Sequence, residues 1–123
     1  MRQALALLLL AITTNLGIAE DKINFAEQIQ PIFLEHCAKC HGEDKAKGDI
    51  RLHNPAAIRE ADIEYLLNPA KPDEGELLAR ITLPADDEMF MPKGGDPLAQ
   101  EQIDLIRKWI EQGAEMPDDG APV

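Results

Sequence analysis

The sequence predicts an all-α fold of a few short helices, and three observations carry that prediction. Apolar residues recur at intervals of three and four from Phe25 through Ile29, Ile32 and Phe33 to Cys40. The same spacing returns near the C-terminus at Ile103, Ile106, Trp109 and Ile110, with Leu105 at the flank. At the end of the first pattern stands Cys37-Ala38-Lys39-Cys40-His41.

That motif is what covalent haem attachment requires. Two cysteines one helical turn apart lie on one side of the backbone, so each sulfur can form a thioether with one porphyrin vinyl group. His41 is then carried under the ring, where its imidazole can ligate iron from the proximal side. A zinc site would need a second pair of ligands, and Cys37 and Cys40 are the only cysteines in the chain. A thioredoxin-like redox pair would need a strand feeding the motif, whereas a helical pattern precedes it. The expected cofactor is therefore one covalently attached haem c, with the helices wrapped around it.

Ahead of the first helix, Arg2, the apolar run Ala4 to Ile12 and the small residues Gly17-Ile18-Ala19 read as an export signal, residues 1–19, with cleavage after Ala19. Nine apolar residues fall short of the about 20 that span a bilayer. The expected mature chain, residues 20–123, is a single domain of 104 residues with a frayed tail from about residue 117. It is expected in the periplasm or otherwise exported, with no membrane-spanning segment after cleavage. Its aromatic residues, Phe25, Phe33, Tyr65, Phe90 and Trp109, make a small core that a buried haem would complete. Without Arg2, eleven Lys and Arg face 23 Asp and Glu, a net charge of −12. Such a surface argues against a nucleic-acid partner, which needs clustered cations. It favours a redox partner with a basic docking face.

The helices follow in order. Asn24 is a helix N-cap, and Pro31 inside the pattern either starts the first helix or kinks it. His36, beside that stripe, reads as a packing histidine. The polar segment 42–49 reads as loop. Asn54-Pro55 signals a short helix to about Arg59, and residues 63–67 fit helix or strand equally. A helix is expected from Glu74 to about Ile81, burying Leu77, Leu78 and Ile81. Met89 to Pro97, with two prolines and two glycines, reads as an irregular functional loop. The last helix is expected to start near Asp96-Pro97 or Leu98-Ala99 and to end at Gln112, capped by Gly113, with Trp109 packed on the first helix.

A second axial ligand must come from downstream. Met91, just before Pro92, is best placed, because proline restricts the preceding residue to extended conformations and so fixes how its side chain projects. Met89 and His53 remain alternatives, and Met116, like Met89, also fits simple core filling.

The ordered set Ile23-Asn24-Phe25, Pro31-Ile32, Cys37 to Gly42, Gly48 to Leu52, Lys71 to Glu74, Leu77-Leu78, Arg80-Ile81, Met91-Pro92 and Glu101 to Ala114 resembles the planctomycete-type cytochrome c domain, a branch of the class I-like monohaem cytochromes c. The resemblance runs from about Ile23 to Pro117. It implies the small cytochrome c fold, with N- and C-terminal helices crossed, and His41 and Met91 as axial ligands. Gly75 stands where the family has a serine cap, Ala99-Gln100 replaces a threonine-proline start and shifts the last helix toward Asp96-Pro97, and His53 replaces an acidic residue. In the family this domain commonly fronts larger exported proteins; standing alone, it is expected to be a diffusible electron carrier rather than an enzyme. The rival expectations are a small-ligand sensor, or a peroxidase-type or electron-feeding module, with an open or His53-ligated distal site.

Overall fold

A computed structural model describes residues 21–118. The expected signal segment and its cleavage point lie outside the described residues. Among the described residues the chain is helical with no strand, and the sole bridge-type pairing joins His41 to Ala46.

Asn24 starts the first helix as expected. Its extended backbone lets its side-chain oxygen accept from the Glu27 N–H at 2.9 Å, while Gln28 Oε1 reaches back to the Asn24 N–H at 2.7 Å. Pro31 then acts. It has no N–H for the preceding turn, and the helix meets this with one wide π-turn over Phe25–Ile29 before tightening into α1, Gln30–His36. The helix ends at His36, so the cysteine motif follows α1 as a chain of turns instead of continuing it.

A 3₁₀ turn, Lys47–Asp49, leads to α2, Pro55–Arg59, capped by Asn54. The ambiguous run 63–67 is α3, Ile63–Leu66, because the Asp62 carboxylate accepts the Tyr65 N–H at 3.1 Å. The helix expected from Glu74 is divided. Pro72–Glu74 is a 3₁₀ turn, Gly75 is extended, and α4 runs Glu76–Ile81. A Cβ at Gly75 would stand 2.5 Å from the Leu67 carbonyl oxygen, so this glycine is the point where the two segments press together.

The last helix, α5, is Gln100–Glu111. Asp96-Pro97 does not start it: Ala99 is its N-cap, with its N–H held by Gln102 Oε1 at 3.0 Å, and Leu98 is already committed to the core. Gly113 ends it with φ +99, a left-handed conformation that favours glycine. Trp109 packs on the first helix, 5.4 Å from Phe25 and 5.9 Å from Phe33 between ring centroids. The segment just after Gly113, ahead of the tail expected to fray from about residue 117, is tied to the body of the domain. Glu115 accepts from Trp109 Nε1 at 2.8 Å and meets Lys22, and the Met116 carbonyl accepts from Arg59. These contacts tie the end of the chain to the packed terminal helices, while the motif lines a cavity together with residues of α3, α4 and the loop that follows α4.

Candidate cofactor site

The site begins with hydrogen bonds that turn the chain at the end of α1. The Phe33 carbonyl accepts from both the Cys37 and Ala38 N–H groups, and the Cys37 carbonyl from both the Cys40 and His41 N–H groups. These turns coil the motif tightly. Gly42 fits only because it lacks a side chain, since a Cβ there would overlap the Ala38 carbonyl.

The chain then doubles back. The Cys40 carbonyl accepts from Lys47 N–H at 3.0 Å, the His41 carbonyl from Leu52 N–H at 2.7 Å, and the Gly42 carbonyl from Arg51 Nε at 3.2 Å. This wrap brings the Ile50 carbonyl to 3.2 Å from His41 Nδ1. A carbonyl can only accept, so Nδ1 is the donor in this contact, and Nε2 is the ring nitrogen left to ligate a metal.

Beside the motif lies a cavity of about 600 Å³, within the ~300–1,000 Å³ typical of cofactor and ligand sites. Cys37, Cys40 and His41 line it, with Ile50, Leu52, Leu66, Leu77, Ile81 and Leu98 as apolar walls. Met91 lines it too, on a loop pinned by the Met91 N–H donating to the Arg80 carbonyl at the end of α4. Met89 and His53 are not among the lining residues. Met89 is 49% exposed, and His53 is half-buried with its Nδ1 unbonded among the described residues. Met116 packs against the core. His36 borders the cavity, half-buried, 3.7 Å from the Glu35 carboxylate.

Burial without a charged partner pushes the Cys37 thiol up to about 11. The Arg80 guanidinium is raised, first by its hydrogen bond to Glu76 at 2.7 Å. This ion pair and Tyr65 also border the cavity, as do Lys39, Lys47 and Lys93. Sequence reasoning placed none of these residues at the site: Tyr65 reads as a core aromatic, and the charged ones carry no local signal beyond their charge.

An all-α domain that brings a Cys-x-x-Cys-His turn, its imidazole presented for metal, to an apolar cavity of this size is a c-type cytochrome domain. Residues 37–95 match the family model described as Planctomycete cytochrome C, which supports the planctomycete-type cytochrome c domain that the sequence resembles. The match opens on Cys37 and closes on Gly95, leaving the first helix and α5 outside it. No curated protein and no solved structure matches the chain. Such a domain implies haem c, and the residues present fit it: two free thiols, an imidazole and a thioether border one apolar space.

Proposed function

We propose that the chain, after cleavage following Ala19, is an exported carrier of single electrons holding one haem c through Cys37 and Cys40, with His41 and Met91 as axial ligands. The observation that carries this reading is that those four residues border the same cavity while Met89 and His53 do not. Each thiol would add its sulfur and hydrogen across one vinyl double bond, forming a thioether with no oxidant and no leaving group. The cofactor supplies the redox chemistry, one electron gained and lost per cycle. The chain's own residues would do the rest: the Ile50 carbonyl orients His41, and the apolar walls would keep water from a bound haem. Met91 as the second ligand would set the potential higher than a second imidazole.

Export rests on the sequence pattern of residues 1–19. No helix among the described residues is long and apolar enough to cross a membrane. Absorption spectra of the exported protein test the whole reading. The oxidised form is expected to show the weak far-red sulfur-to-iron band, and the reduced form to resist carbon monoxide. Met91→Ala is expected to abolish the band and open the iron to carbon monoxide. A band that survives this substitution overturns the Met91 assignment, and a colourless polypeptide of unmodified mass overturns the haem.

A further inference from the structure

We propose that Gln30 is a positioning residue for His41, acting through the segment that carries the Ile50 carbonyl. This role rests on the reading above, in which His41 holds the iron, and goes beyond it to what sets the strength of that ligand. Gln30 is the single buried polar residue among the described residues, 3% exposed on a helix face otherwise built from Ile29, Ile32 and Phe33. Its side-chain N–H donates to the His53 carbonyl at 3.1 Å.

Segment 50–53 needs such an anchor. Its middle is tied to the motif, where the Leu52 N–H donates to the His41 carbonyl at 2.7 Å. Arg51 adds a contact to the Gly42 carbonyl, but through a long side chain on an exposed residue. One backbone hydrogen bond is a pivot, about which the segment can still tilt and carry the Ile50 carbonyl away from His41 Nδ1. The bond from Gln30 lies on the far side of that pivot from Ile50, one residue beyond Leu52. It is the only hydrogen bond among the described residues that joins segment 50–53 to α1. Two held points fix the tilt, and they fix it relative to the helix that leads directly into Cys37.

The side chain chosen for this place supplies the second observation. Gln30 Oε1 is buried with no hydrogen-bond partner among the described residues, and so is Nδ1 of His53, the residue that Gln30 holds. Buried polar atoms are normally paired, and an unpaired one is costly. Methionine would fill nearly the same space with no such atom to satisfy. An amide in this position therefore contributes through where it holds the His53 carbonyl, and little through net stability. The Ile50 carbonyl keeps the His41 ring N–H engaged, and an engaged N–H makes the imidazole a stronger ligand to the oxidised metal.

Gln30→Met tests this, because it keeps the volume and removes the donor. It trades one unpaired oxygen, Gln30 Oε1, for another, the His53 carbonyl, which accepts no other hydrogen bond among the described residues. Tm is therefore expected to stay within about 5 °C of the unsubstituted holoprotein's. The reduction potential is expected to rise. The His41 ring N–H, followed by NMR in the reduced holoprotein, is expected to exchange with solvent at least about tenfold faster. Ile29→Val loosens the same helix face without touching the amide. It is expected to lower Tm by about 5 °C and to leave potential and exchange unchanged. Equal shifts in the two variants, or no shift in Gln30→Met, overturn the proposal. Should Gln30→Met not fold, the unsubstituted holoprotein decides: its Gln30 side-chain N–H protons are expected to exchange as slowly as the His41 ring N–H. Free exchange at Gln30 beside a protected His41 overturns the proposal. Failure of the carrier reading looks different, since the chain would then take up no haem at all.

Discussion

His41 Nδ1 lies 3.2 Å from the carbonyl oxygen of Ile50, nine residues further along the chain. The contact exists because Gly48 and Asp49 both take left-handed backbone, with φ of 64° and 59°, and so turn Ile50 back toward the motif. A β-branched residue tolerates that conformation poorly. Gly48→Val is expected to destabilise the protein by about 1–2 kcal/mol in a urea titration. It should also raise the reduction potential, because an imidazole that no longer donates from Nδ1 is a weaker ligand to the oxidised metal. An unchanged potential would show that Ile50 does not tune His41.

Gly42 is the tightest point in the motif. A methyl group there meets the backbone carbonyl of Ala38, which cannot swing aside as a side chain would. Gly42→Ala is expected to cost about 1–3 kcal/mol and to reduce the yield of haem-loaded protein, measured as the ratio of haem absorbance to protein mass. Gly94→Ala has open space around its Cβ. It pays only for positive φ, about 1 kcal/mol, and should load normally.

Before any thioether forms, Cys37 should make the fold sensitive to alkaline pH. Its thiol is raised from 9.0 to about 11 by burial, so the folded chain holds the proton more tightly than the unfolded one. The corresponding stability is present below pH 9 and disappears as pH climbs through 11. The loss amounts to roughly 2–3 kcal/mol by the linkage of pKa to stability. Chemical denaturation of the haem-free polypeptide from pH 8 to pH 11 should show this slope, and the same series with Cys37→Ala should lack it. Haem-loaded protein has no thiol left at this position and should lack it as well.

Trp109 joins the two ends of the domain. It is fully buried against Phe25 and Phe33 and donates to the Glu115 carbonyl at 2.8 Å. Trp109→Ala should cost about 3–5 kcal/mol. That is a large part of the roughly 5–15 kcal/mol that holds a domain of this kind together. Trp109→Phe keeps the ring packing and loses the hydrogen bond, a cost of about 1–3 kcal/mol. Thermal melts of the two variants separate packing from hydrogen bonding.

The features legible in the sequence were those with short-range causes. Asn24 and Asn54 cap the helices they were expected to cap, since an N-cap acts on amides within three residues of itself. The buried stripe of α5 follows from the geometry of one helix. Where local signals were weak, the reading divided. Residues 63–67 fitted helix or strand until Asp62 took up the Tyr65 amide, and Gly75 interrupted a helix because of the Leu67 carbonyl, eight residues away in sequence.

The sequence by itself determined the helical class, the helix caps and the cysteine motif, because periodicity, capping and motif spacing all act over one or two turns of chain. Tertiary structure alone decided which residues share the cavity. It brought Met91 to the lining and left Met89, two residues away, half exposed, and it kept His53 off the lining next to Leu52, which is on it. It also brought Lys39, Lys47 and Lys93, from three separate segments, to the cavity. Neighbours in sequence part company when a loop is pinned at one residue, as the Arg80 carbonyl pins Met91, and that choice depends on contacts between segments that no local pattern encodes.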